Sequence, residues 1–195
     1  MDTSPAVPAL DELVQQIREH EPSLITSSVG WRAATAMVLN EHDVHGPEML
    51  FIERARRPGD RWSGQMALPG GKKDDGDPDL LATAMRETAE EVGLALADPV
   101  ARLDDVGGRV VTNAVSTFVF TIEERPELVH EQREVSAAVW IPVATLFDPG
   151  AAVKYRYMGV GSFPAIEHRG YVVWGLTYRI LEHFARAVGK QLAAP

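Results

Sequence analysis

Three glutamates and an arginine within six residues carry the strongest chemical signal in this chain. Glu87 and Glu91 are four residues apart and Glu90 is three from Glu87, so on a helix their carboxylates can converge. Ionised carboxylates at that spacing repel one another. A hard divalent cation with oxygen ligands compensates them directly, and Mg²⁺ or Mn²⁺ is the natural choice. Arg86 lies beside them and can brace a carboxylate through a bidentate contact. The alternative is a solvated acidic helix face, which is what most charge runs are.

The element that must hold these groups lies between Gly70 and Leu94, GGKKDDGDPDLLATAMRETAEEVGL, a glycine turn followed by an acidic loop and one helix. Asp77 is the predicted N-cap, with Pro78 at the first helical position, where its missing N–H costs nothing. Leu80, Leu81, Ala84, Met85, Thr88, Ala89 and Val92 form the predicted buried stripe. Gly93 is the predicted C-terminal stop.

The order Arg-Glu-x-x-Glu-Glu-x-Gly, at Arg86, Glu87, Glu90, Glu91 and Gly93, resembles the core of the Nudix box, and Gly71 and Leu94 fit its two ends. Two features depart from the family pattern. The entry between Gly71 and Arg86 is one residue longer, with Asp77 near the place of the first Glu, and Thr88 replaces an apolar residue. The preceding stretch resembles the coenzyme A pyrophosphatases of that family. An apolar strand ends in Arg54-Ala55, then come Arg61, Gly64 and Leu68-Pro69-Gly70-Gly71 entering the box. Here the Ala55–Gly64 spacer is longer than in the subfamily, Arg61 sits two rather than three residues before the Gly, and Leu68 stands for Phe. Trp174-Gly175-Leu176-Thr177 also resembles the entry to that subfamily's C-terminal helix.

The resemblance implies an α/β fold, an α/β/α sandwich with a mixed central sheet. It implies that Glu87, Glu90 and Glu91, helped by the Gly71 carbonyl, hold one to three Mg²⁺ or Mn²⁺ ions with Arg86 beside them. Glu90 or Glu134 would take the proton of the attacking water, with Glu131 and His130 as competitors of Glu134. Arg54 and Arg61, with Gly70 and Gly71, would bind the phosphates of a small nucleoside diphosphate derivative. Hydrolysis would release a nucleotide and a phosphorylated group X. Coenzyme A or acyl-CoA is the first choice. Nucleotide sugars, ADP-ribose and dinucleotides are the alternatives. A non-catalytic Nudix-fold ligand sensor is the alternative of another class, and three intact glutamates argue against it.

Composition bounds these readings. At 195 residues, 45% hydrophobic and 24% charged, the chain suits a single domain over residues 1–195. The absence of cysteine excludes disulfides and thiolate chemistry. No apolar run reaches the roughly 18 residues of a membrane span, and the N-terminus lacks the basic start and apolar core of a signal peptide, so a cytoplasmic protein without membrane partners is expected. A net charge of −9 argues against nucleic-acid binding. Residues 53–73 reverse that balance to a local +4 through Arg54, Arg56, Arg57, Arg61, Lys72 and Lys73, which suits an anionic small molecule.

Around the box, residues 1–8 are expected to be loose. Residues 9–20 should form an amphipathic helix that packs on the domain or in a homodimer. Strands are expected at 31–39 and 49–55, paired with each other, and at 66–68, 116–122, 137–143 and 171–174, with a helix over 175–188. His42 and His45 read as solvated turn residues. The Gly- and Pro-rich stretch 147–164 reads as a loop, whose Tyr155, Tyr157 and Phe163 are candidates for stacking an adenine or for packing.

Overall fold

The structure, a computed structural model, describes residues 7–26, 30–57, 59, 62–107, 113–130, 133–157, 159 and 161–195. Its elements begin with α1 (Leu10–Glu19), β1 (Arg32–His42), β2 (Gly46–Arg54), the short β3 (Met66–Ala67) and β4 (Gly70–Lys72), and α2 (Leu80–Val92). They continue with β5 (Ala101–Arg102), β6 (Val106–Gly107), β7 (Ala114–Ile122), β8 (Val135–Pro142), β9 (Ala152–Tyr157), β10 (Gly161–His168), β11 (Tyr171–Trp174) and α3 (Gly175–Ala187).

The main sheet is mixed. β7 runs parallel to β1 from Arg32↔Ala114 to Asn40↔Ile122 and takes one edge of it. The other edge of β1 is shared, Leu39–His42 pairing with β2 and Ala33–Thr35 with β4. β2 in turn gives one edge to β8 and divides the other between β1 and β3. β1 and β2 therefore part midway, and β3 and β4 fill the gap. That splay carries Gly70 and Gly71 into the sheet.

Alternation along β1 sets the layers. Ala34, Ala36 and Val38 pack with Ala84 and Val92 of α2 on one face. Met37 and Leu39 join Leu13 and Ile17 of α1, and Ile180 and Phe184 of α3, on the other. The result is the expected α/β/α sandwich, with each fully buried aliphatic or aromatic side chain contributing about 1.5–3 kcal/mol. Among the described residues no helix is long and apolar enough to cross a membrane.

Three local expectations are corrected. α2 begins at Leu80, two residues later than expected. Its cap is Asp79, whose side chain accepts from the Ala82 N–H at 2.8 Å, because the Asp77 carboxylate is committed to Arg86. The buried side of α2 is also rotated: Ala89 is exposed while Thr83 and Glu91 are buried, since Glu91 is drawn inward to a backbone amide. Finally, the stretch expected to be a loop contains β9 and β10, which join β11 in a second, antiparallel sheet. Tyr155, Tyr157 and Phe163 pack on Trp174 with ring centroids 4.9, 4.6 and 5.6 Å away, so they build that sheet's aromatic face.

Candidate active site

The site begins with two glycines, the first closed to any side chain by backbone and the second by the Glu87 carboxylate. At Gly70, φ is 151° and a Cβ would run into the Ala34 carbonyl and the Thr35 backbone. At Gly71 a Cβ would land on the Glu87 carboxylate. Their bare backbone lets α2 bring its acids against β4. The Gly70 N–H donates to Glu91 Oε2 at 2.9 Å.

Glu91 is only 4% exposed. Burial pushes its carboxyl up to about 7; the Gly70 N–H and Arg54 pull down, while the Glu87 charge adds to the rise. Glu87 is also raised, first by burial and against the pull of Arg86. These two acids, Gly70, Gly71, Arg54 and Glu134 line one cavity of about 430 Å³. Glu90 does not line it. It lies on the exposed side of α2, held by Arg86 Nη1 at 2.9 Å.

Arg86 is the brace of this helix. Its Nε and Nη2 donate to the buried Asp77 carboxylate at 2.9 and 3.0 Å, and Nη1 lies 3.0 Å from Glu87. Thr83 Oγ1 and the Asp74 N–H add bonds to Asp77 at 2.9 and 3.0 Å. The Arg86 guanidinium, then the Asp74 amide, hold the Asp77 carboxyl well below the usual range, and Asp77 raises Arg86 in return.

The opposite charge comes from the end of β2. Arg57 Nη2 meets Glu134 Oε1 at 3.1 Å while its Nε donates to the Arg133 carbonyl at 2.8 Å. Ser63 Oγ accepts from the Arg57 N–H and donates to the Arg57 carbonyl, which fixes the Arg57 backbone. The pair is half-exposed, so its contribution to stability is about 0–1 kcal/mol. Arg61 and Glu131 lie outside the described residues, and His130 does not line the cavity. In the sequence Arg57 stands out only as part of the basic stretch, and Gln65, Trp31, Trp62 and Thr177, which also line the cavity, carry no chemical signal of their own. Strand alternation at Trp31, Ala33 and Thr35 was the available signal for the first wall.

The donor set fits a hard cation. Glu87 and Glu91 present carboxylate oxygens beside the Gly70–Gly71 backbone, and burial raises both, a cost that a bound cation would offset. A second group of ligand-type atoms, on His42, His45 and Glu48, lies within 4.8 Å of one another at the β1–β2 turn. There, however, the His42 Nδ1 accepts the Val44 and His45 amides, the two rings stack, and the buried Glu48 is paired with Arg125.

Comparison with known proteins agrees with this geometry. Residues 30–158 match the NUDIX domain family. A protein of Schizosaccharomyces pombe is 42% identical over 122 residues, 56% of this chain, and the match spans 36% of that relative's length. The mitochondrial coenzyme A diphosphatase NUDT8 of Homo sapiens is 30% identical over 163 residues, covering 77% of this chain and 67% of its own. The crystal structure of a MutT/nudix family protein from Enterococcus faecalis superposes with a TM-score of 0.60 at 17% identity, over 94% of this chain and 71% of that one.

Proposed function

The chain belongs to the Nudix family of hydrolases acting on nucleoside diphosphate derivatives, and from that premise we propose that coenzyme A or an acyl-CoA is the diphosphate it cleaves. The observation that carries this reading is the cavity where two acids raised by burial, Glu87 and Glu91, meet the basic end of β2. The coenzyme A choice draws support from the Arg54-Ala55 and Leu68–Gly71 lead-in, which borders that cavity, and from the human relative's name.

Glu87 and Glu91, with the Gly71 carbonyl, are the groups that would hold Mg²⁺ or Mn²⁺. When bound, such an ion supplies positive charge to the diphosphate and lowers the pKa of water. Arg54 and Arg57 orient phosphate oxygens through charge-assisted bonds. Glu134, the remaining cavity carboxylate, accepts the proton of the water that attacks phosphorus, as the P–O bond of the anhydride breaks and the departing phosphate keeps the electron pair. Arg86 and Asp77 hold Glu87 in place from behind. Glu90, on Arg86, belongs to that support.

Product chromatography against coenzyme A, ADP-ribose, GDP-mannose, a diadenosine polyphosphate and dATP, each with Mg²⁺ and Mn²⁺, tests the reading. Preferred release of adenosine 3′,5′-bisphosphate and a phosphopantetheine is expected. Preference for a nucleotide sugar or ADP-ribose would remove the coenzyme A assignment and keep the hydrolase.

A further inference from the structure

Among the described residues six large apolar side chains are exposed, and three of them, Trp31, Trp62 and Leu176, line the one cavity that holds Glu87 and Glu91. Apolar surface gathered at a polar centre is the usual form of a ligand pocket. Trp31 stands at the entry of β1 and is 38% exposed. Its backbone is fixed by Asn113 Oδ1, which accepts the Trp31 N–H at 3.1 Å. Lys72 Nζ lies 5.5 Å from the centroid of its ring.

The spacing from Trp31 to the acids is set by the sheet. Gly71 pairs with Ala34, and Lys72 with Ala33, so Trp31 lies three residues along β1 from the glycine that touches Glu87. At strand rise that is about 10 Å. The residues that follow on the Trp31 face, Ala33 and Thr35, are small and line the same cavity. The indole and the two acids thus border the same cavity.

We propose that Trp31 is the platform on which the aromatic base of the substrate stacks, with Lys72 at its ring engaging a phosphate carried by the ribose of that nucleoside. This rests on the diphosphatase reading and deepens it: the class of substrate is a nucleoside diphosphate derivative with an added ribose phosphate. An indole face stacks any base, so affinity comes from Trp31. A base alone has no charge for Lys72 to meet, so discrimination comes from Lys72.

Calorimetric titration of the full chain with adenosine 3′,5′-bisphosphate and with AMP tests this, beside turnover of the diphosphate panel. Trp31→Leu is expected to weaken both nucleotides about tenfold and to raise KM more than it lowers kcat, and Trp31→Phe to restore binding to within about threefold. Lys72→Met is expected to weaken the bisphosphate about fivefold and AMP less than about twofold. Unchanged binding in Trp31→Leu, or a loss confined to Trp62→Leu, overturns the platform while wild-type turnover keeps the diphosphatase. Equal losses of both nucleotides in Lys72→Met overturn the phosphate role. Wild-type protein that cleaves nothing on the panel, yet binds both nucleotides through Trp31, removes the diphosphatase reading and keeps the platform.

Discussion

Asp77 and Glu91 are both buried, 7% and 4% exposed, at opposite ends of the same acidic helix segment, yet their protons behave in opposite ways. Asp77 meets a guanidinium through two bonds, a threonine hydroxyl and an amide, and is held firmly ionised. Glu91 has one amide bond, a neighbouring acid and only a distant pull from Arg54, and is pushed up to about 7. Low exposure alone therefore does not set the proton: burial is the largest push on Glu91, whereas at Asp77 the Arg86 and Asp74 bonds outweigh it. The difference is whether the chain itself supplies the compensating charge. At Asp77 it does, and the carboxylate is structural. At Glu91 the chain supplies only the Gly70 amide and the pull of Arg54, which burial outweighs, so the carboxyl stays raised.

This contrast can be broken at either end. The largest effect is expected at Glu91: Glu91→Gln keeps the Gly70 bond and the shape, so thermal melting should stay near wild type while divalent-dependent turnover falls by about 10²–10⁴-fold. Asp77→Asn attacks the compensated end. It frees Arg86 to draw on Glu87, and about 10–100-fold more Mg²⁺ should be needed for half-maximal turnover, read from a metal titration of rate. A smaller effect is expected on pH-dependent stability without divalent ions. Glu91 rises on folding from an ordinary 4.5 to about 7, so the folded chain holds that proton more tightly. Its contribution is complete below 4.5 and is lost as pH climbs through about 7. In chelator, melting temperature should fall across that window, and Glu91→Gln should flatten the fall. A wild-type melting temperature that rises through the same window would reverse the assignment. The smallest change is at the half-exposed Arg57–Glu134 pair, where Arg57→Gln should alter stability by less than about 0.5 kcal/mol while raising KM several-fold.

The same contrast explains what the sequence could reveal. Spacing alone brought Glu87 and Glu91 together, because the helical repeat is local, and the Nudix resemblance supplied the sandwich. Spacing could not tell that Glu90 turns to Arg86 while Glu91 turns inward, since that depends on where β4 closes on β1. Nor could it choose between Asp77 and Asp79 as the cap: both suit the role, and the nine-residue reach of Arg86 back to Asp77 decides it. The pairing of β9 with β10 was hidden because Gly and Pro in the segment outweighed the alternating Tyr155 and Tyr157. The sequence shows Trp31 only as the first residue of a strand, since its place on a cavity wall depends on α3 packing across the sheet.

The most direct test of the buried, raised acid Glu91 is calorimetric titration of Mn²⁺ into wild-type protein and Glu91→Gln, in buffers of different ionisation enthalpy, at about pH 6 and about pH 8. If Glu91 is the group awaiting charge, Mn²⁺ binding should release a proton near the lower pH, release little near the higher one, and weaken at least about tenfold in Glu91→Gln. Equal affinity in the two proteins, with no proton release at either pH, would contradict it.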